Sequence, residues 1–397
     1  MTDQKTDTTP FDAQDRRRAY AFIVAMGVVS FFGDITYEGA RGITGPFLAM
    51  LGASGTIVGI ATGAGEMAGF GLRLFSGLLA DRTKRYWLIA IFGYIINLVV
   101  VPLLALAHNW QFAVTLIILE RVAKALRTPS RDTLLAGAAE VVGPGKGFGL
   151  HEAMDSAGGL LGPLIMTAIL AWDGRYDIAF ATLAAPALLA IITLGFAWRR
   201  FPDPGKTKAR ATVQSEAQNQ RPFWIAVAAL SILAAATVDY PLMAYHFGKT
   251  HAIGAEWIPA MYSLAQATNG LASLGFGRLF DRYGSSVLIF AAILAAFAPV
   301  LAFLLGPVGA VLGVAVWGLA GGGRDTMARG LIAKMIPAGK RGSAYGIYNA
   351  VFGVAWFAGS AVMGWLYDIA PWMLVACSLA LHAAAVIVLT LVRAPKR

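Results

Sequence analysis

The chain has 397 residues, of which 57% are hydrophobic and only 14% charged, with a mean hydropathy of +0.64. A water-soluble protein of this size carries about a quarter charged residues, so the composition excludes a soluble globular protein and describes one that crosses a membrane many times. The net charge of +10 is no nucleic-acid footprint, because the basic residues gather in short segments between long apolar runs, the pattern that orients spans in a bilayer.

A span needs about twenty apolar residues, and the chain divides into twelve. A polar tail, 1–18, has no signal-peptide cleavage pattern, so the first helix is expected to stay in the membrane. Span 1 (about 19–51) contains Asp34, Tyr37, Glu38, Arg41 and Pro46. Span 2 (54–79) holds Glu66 and Arg73 and runs into the basic turn Asp81–Arg85; span 3 covers 86–107. Span 4 is the stretch the chain is organised around, 116–135, reading LIILERVAKALRTPSRDTLL. Its Arg121, Lys124, Arg127 and Arg131 recur at helical spacing and form one cationic stripe. A Gly/Pro/Lys loop, 143–147, leads to span 5 (148–172), with His151, Glu152 and Asp155; span 6 covers 178–198.

Composition then shifts. Residues 199–221 are polar and basic, a cytoplasmic linker. Six further spans follow, near 222–247, 257–276, 287–305, 308–331, 343–367 and 372–392, with a short tail, 393–397. Asp239 and Tyr240 lie midway along span 7, the counterpart of span 1, and Arg324 follows three glycines in span 10. Tyr37, Tyr240, Trp317 and Trp356 are aromatic candidates for a substrate path.

The loop cations fall on one side, which places both termini and the linker in the cytoplasm. The two halves also repeat. Arg127 and Arg324, Gly149 and Gly346, and Gly162 and Gly359 each stand 197 residues apart. A repeat of half the chain predicts an all-α protein of two pseudo-symmetric six-helix bundles, 19–198 and 222–392, with a site between them near mid-membrane.

These residues carry a resemblance. The turn Gly77, Asp81, Arg82 and Arg85 is similar to the loop between spans 2 and 3 of the major facilitator superfamily, with Lys84 where a glycine is usual. Gly277, Asp281, Arg282 and Gly284 form a second copy. In span 5, Gly149, Gly158, Gly162 and Pro163 resemble the G-x8-G-x3-G-P motif of the superfamily's drug/proton antiporters, though Met166 and Thr167 replace two later glycines. Arg121 matches the arginine of their span-4 motif, with Ile117, Lys124 and Ala125 departing from it. The resemblance implies alternating access, with Gly77, Asp81, Arg82, Arg85, Asp281 and Arg282 controlling the cycle and Gly158, Gly162 and Pro163 shaping span 5. It also implies a monomer in a bacterial inner membrane.

Ionisable groups inside a bilayer are costly and mark function by default. Asp34 and Arg121 lie at similar depth, so they are expected to form a switchable pair that takes up a proton when the arginine withdraws; the bland alternative is a static ion pair. Glu38 is the second proton-coupling candidate, and a local pair with Arg41 is its alternative. Arg41, Tyr37, Glu66, Lys124, Asp239, Tyr240, Arg324, Trp317 and Trp356 are expected around the substrate, with Asp155 and Arg127 gating the cytoplasmic side. His151-Glu152-x-x-Asp155 lacks the second histidine of a zinc helix, so no metal is expected. Gly63–Gly69 and Gly143–Gly147 lack the context and spacing of nucleotide loops, which leaves the proton gradient as energy source and no cofactor. Cys377 is the one cysteine and forms no intramolecular disulfide. The expected activity is proton-coupled export of a small organic compound, against two alternatives: an uptake symporter for an organic anion or metal chelate, and a receptor that keeps the fold without transport.

Overall fold

The computed structural model describes residues 12–202, 221–283, 286–335 and 341–392, so most of the expected linker lies outside the described residues. Among these residues the elements are α-helices joined by short turns: α1 (Ala13–Met50), α2 (Gly55–Thr83), α3 (Tyr86–Val100), α4 (Trp110–Val142), α5 (Pro144–Asp173), α6 (Tyr176–Thr182), α7 (Ala184–Arg200), α8 (Arg221–Ala236), α9 (Tyr240–Thr250), α10 (Ile258–Tyr283), α11 (Ser286–Leu304), α12 (Gly306–Met335), α13 (Arg341–Ile369) and α14 (Pro371–Thr390). Three spans are made of two pieces. A 3₁₀ turn, Pro102–Leu106, continues α3; α6 and α7 are separated at Leu183; α8 and α9 are separated at 237–239. Pro102, Pro186 and Pro241 follow these breaks. Each lacks a backbone N–H and crowds the carbonyl four residues back. Taking the pieces together gives twelve spans in two bundles, as the hydropathy predicts.

Two boundaries differ from the sequence reading. Helix α1 begins at Ala13, ahead of the first apolar residues, because Asp12 caps it by accepting the Asp15 N–H at 2.6 Å. The loop expected at 143–147 shrinks to Gly143, whose φ of 101° turns the chain so that Pro144 opens α5. By length and apolar composition nine described segments suit a membrane span. Helices α2, α4 and α10 fall short of that measure, because they spend surface on charged, small and polar residues that face the protein interior.

The span-5 motif has a packing meaning. A side chain at Gly162 would meet the Ile35 carbonyl oxygen at 2.7 Å and the Gly39 nitrogen at 2.9 Å, and one at Gly158 would collide with the Phe31 carbonyl. These glycines let α5 lie directly on the backbone of α1. The second half repeats the device, since Gly359 of α13 lies on the backbone of α8 at Ala235. The glycines of α12 do likewise: Gly322 packs on the Asn269 carbonyl and Gly323 on the Phe276 ring of α10. We therefore expect Gly162→Val to destabilise the protein by about 1–3 kcal/mol through overpacking, read as a lower melting temperature in detergent. Gly149→Ala, where a new methyl meets nothing within 4 Å, should leave it unchanged.

One end of the molecule carries the turn Asp81–Arg85 and the first turn of α1; we call it the basic end. At the far end the two halves are sealed. Gly45 packs on the Pro241 carbonyl, the Tyr245 hydroxyl donates to the Ala53 carbonyl at 3.1 Å, and Gly59 packs on the Ser360 carbonyl. Closer to the middle, the Ser263 hydroxyl donates across the seam to the Leu160 carbonyl at 2.8 Å.

Candidate substrate and proton site

Six ionisable side chains of the first half meet beneath the seal. Arg41 Nη2 donates to Glu66 Oε1 at 2.9 Å, and Arg121 Nη2 lies 3.9 Å from the same oxygen. Arg121 Nε lies 3.2 Å from Glu120 Oε2, and Glu120 in turn accepts from Asn97 at 2.8 Å. Lys124 Nζ sits 3.5 Å from Glu38 Oε1 and 3.7 Å from the centre of the Tyr37 ring. The other oxygen of Glu38 accepts from the Tyr262 hydroxyl of the second half at 2.7 Å.

The expected Asp34–Arg121 pair is therefore not made in this state. Gly65 of α2 fits under the Arg121 side chain, with its would-be Cβ 2.8 Å from Arg121 Cγ. That contact turns Arg121 toward Glu66, on α2. Lys124, one turn later on α4, is the cation turned toward α1. The local Glu38–Arg41 pair is not made either, since Glu38 reaches α4 and α10 while Arg41 reaches α2. Asp34 is 5% exposed, and its Oδ1 is buried with no hydrogen-bond partner. The charged groups facing it are Asp155, Lys124, Glu38 and Arg127. Asp155 Oδ1 is likewise buried and unpartnered. Arg127 is 1% exposed, under the Tyr94 ring at 4.1 Å, with Nε and Nη1 unpartnered. It belongs to this buried cluster and forms no part of a surface gate. Nearby, the Ser30 hydroxyl and His151 Nε2 are 2.9 Å apart.

The second half answers with a finished structure. The break between α8 and α9 exposes backbone groups, and side chains take them up: Ser378 donates to the Ala236 carbonyl at 2.7 Å and Trp317 Nε1 to the Val238 carbonyl at 2.8 Å. Asp239 accepts from Trp356 Nε1 at 2.7 Å and from the Ser360 hydroxyl at 2.6 Å. Tyr240 donates its hydroxyl to the Ile258 carbonyl. Arg324 donates to Thr237 at 3.1 Å and lies over the Trp356 ring at 4.9 Å.

A cavity of about 500 Å³ lies between the halves, from Met243 and Tyr262 toward Arg73, Ala328 and Tyr348 on the basic-end side. Of the residues expected around a substrate, Arg41, Glu66, Arg324, Trp317 and Trp356 line it, as does the proton-coupling candidate Glu38. Tyr37 and Arg121 line a void of about 40 Å³ inside the first half. Lys124, Asp239 and Tyr240 stand behind the wall, held by the bonds above. The sequence reading left out Phe70, Arg73, Gln266, Asn269 and Asn349, which also line the cavity. Because Glu66 offsets both Arg41 and Arg121, Glu66→Ala should cost about 3 kcal/mol, measured as reduced thermal stability of the purified protein.

Comparison with known proteins agrees with this geometry. The family model described as Major Facilitator Superfamily matches residues 23–323 and 236–397. The chain belongs to the major facilitator superfamily. It is 39% identical to the uncharacterized protein Rv2265 of Mycobacterium tuberculosis, over 95% of this chain and 94% of that protein. It is 25% identical to the uncharacterized MFS-type transporter MJ1317 of Methanocaldococcus jannaschii, over 88% and 89% of the two chains. The crystal structure of the nucleoside transporter NupG shares the fold, with a TM-score of 0.71, 16% identity and coverage of 94% and 98%. The protein is thus a transporter of this superfamily and not an enzyme.

The turn that resembles the superfamily's loop between spans 2 and 3 closes α2 on a left-handed residue. Lys84, where a glycine is usual, ends α2 in the left-handed conformation at φ 56°. Gly77 faces Pro129 of α4 at 3.6 Å, and Asp81 accepts from the Tyr86 hydroxyl at 3.0 Å. Both contacts stay within the first half, and Arg82 and Arg85 are exposed. In the second copy Arg282 lies over Tyr283 at 5.2 Å; the side chain of Asp281 is outside the described residues.

Proposed function

We propose that the protein is a proton-coupled secondary transporter of a bacterial inner membrane. Its basic end faces the cytoplasm, and it exports a small amphipathic organic compound in exchange for protons. One observation carries the coupling. Asp34 and Asp239 are both buried acids in the first span of their half, yet Asp239 has its oxygens occupied by Trp356 and Ser360 while Asp34 Oδ1 has no partner. A buried carboxyl without hydrogen-bond donors is the group that gains most from taking a proton.

The neighbours give that proton a route to the seam. Ionised Asp34 competes with Glu38 for Lys124; once protonated, it leaves Lys124 to Glu38 alone. Glu38 is the acid bonded across the halves to Tyr262, so the charge on Asp34 reaches the contact that must break when the halves rock. Arg121 holds Glu66 and supports the same network from α2. The cavity lies on the basic-end side of the seal, which suits a cytoplasm-facing state that loads cargo for export. The antiporter-like glycines Gly158 and Gly162 form the α1–α5 seam next to Asp34 and support the same direction. Cations on the cavity wall favour a second reading, uptake of an organic anion with protons.

Direction of flux separates the two. Everted vesicles with an acid interior, read by a pH-sensitive dye, should lose protons when a cargo compound is added outside. Acid entering with the compound, or whole-cell accumulation of it, would overturn export in favour of uptake.

A further inference from the structure

We propose that the cargo is an organic anion carrying an aromatic ring, its acid group taken by Arg73 and its ring by the Phe70–Trp356 pair. This rests on the reading of the central cavity as the transport site. Among the described residues the cavity wall holds two carboxylates, and both are occupied: Glu38 by Lys124 and Tyr262, Glu66 by Arg41 and Arg121. Neither of these acids is left for a cationic compound without a counter-charge already in place. Among the described residues the two buried carboxyl oxygens without a partner, on Asp34 and Asp155, lie outside the wall, in the interior of the first half.

Arg73 is placed in the opposite way. Arg73 lines the cavity, and its Nε is buried with no hydrogen-bond partner. Its guanidinium lies over the Phe70 ring at 5.3 Å. Phe70 stacks on Trp356 of the other half, with centres 6.0 Å apart and planes at 29°. Arg324 lies over the Trp356 ring, 4.9 Å from its centre. Two stacked rings thus stand between two guanidinium groups along the wall, and the series crosses from one half to the other. A ring packed against this aromatic cluster gains apolar burial and edge-to-face contact, and a carboxylate or phosphate reaching Arg73 gains a charge-assisted bond in a geometry that guanidinium favours. Cargo held this way touches α2 and α13 at once, so it reports its presence to both halves.

The test is equilibrium binding to the purified protein, which depends on neither proton coupling nor direction of flux. The probes are 1-naphthoate, phenyl phosphate, 1-naphthalenemethanol and 1-naphthylmethylamine, read by tryptophan fluorescence and by thermal shift. The two anions are expected to bind, and the neutral and cationic analogues to bind at least about tenfold more weakly. Arg73→Gln should weaken anion binding by about tenfold or more, and Arg73→Lys should restore part of it. Both variants should elute and melt as the wild type does, which separates lost contact from lost fold. Equal binding of the amine, anion binding unchanged in Arg73→Gln, or no binding of either anion would each overturn the proposal. Export could still hold after such a result, and anion binding would stand if the vesicle experiment failed.

Discussion

Asp34→Asn is expected to bring cargo-driven proton movement down to the level of protein-free vesicles, while exchange of labelled for unlabelled cargo continues. The asparagine keeps the volume that α1 and α5 are packed around, where Asp34 Cβ lies 3.0 Å from the position of a side chain on Gly158. What it removes is the ability to exchange charge for a proton. Cargo exchange at equal concentration on both sides needs no net proton, so it isolates the coupling step from folding and binding.

The matched experiment is Asp239→Asn. Its carboxylate accepts from an indole N–H and from a hydroxyl. An amide can keep the first bond through its oxygen and donate to Ser360, because a hydroxyl both gives and accepts. We expect this variant to transport with its proton coupling intact. Asp239→Ala, by contrast, leaves two buried donors stranded beside a broken helix, at about 1–3 kcal/mol each, and should lower the yield of folded protein. If Asp34→Asn still moved protons, or Asp239→Asn stopped doing so, the assignment of the proton to the first half would fall.

Which acid pairs with which base was the part of the site that sequence could not supply. The spans were readable because a bilayer demands about twenty apolar residues each time, and the interior charges stood out because they interrupt those runs. Spacing along α4 puts Arg121 and Lys124 near one stripe, yet it says nothing of how that stripe is turned toward its neighbours. The turn is set by Gly65 of α2 fitting under Arg121, a contact between residues fifty-six positions apart. Arg73 was seen as a charge inside span 2 but given no place at the site, and Phe70 was passed over, for a related reason. An arginine and a phenylalanine on a glycine-rich helix carry no periodic signal, and only the approach of α13, with Gly353 against Met67 and Phe70, gives them a partner. The span-5 glycines were legible as small residues that let helices approach; that α1 is the helix they approach follows from tertiary packing.

The second large effect is expected at the far end, from Asp368→Ala. Its carboxylate accepts from the backbone N–H groups of Gly55 and Thr56 at 2.7 Å each and from the Thr56 hydroxyl at 2.5 Å. These N–H groups belong to the first turn of α2, which has no intrahelical acceptor for them. The acid that caps α2 therefore comes from α13, in the other half of the molecule. The positive end of the α2 dipole adds to the attraction. The helices meet with little between them, since Gly55 faces Tyr367 and Asp368 and Gly59 faces Gly364. Losing charge-assisted bonds worth about 1.5–3 kcal/mol each should shift the balance away from the sealed far end by about tenfold or more. In a Cys377→Ala background, spin labels at Met50→Cys and Lys249→Cys, which border one groove at that end, should report a longer and broader distance in Asp368→Ala. Asp177→Ala removes an exposed pair with Arg175, which contributes little, and serves as the control. A distance distribution identical in all three proteins would show that packing of the glycine seam alone keeps the far end shut, with the carboxylate contributing nothing to the closed state.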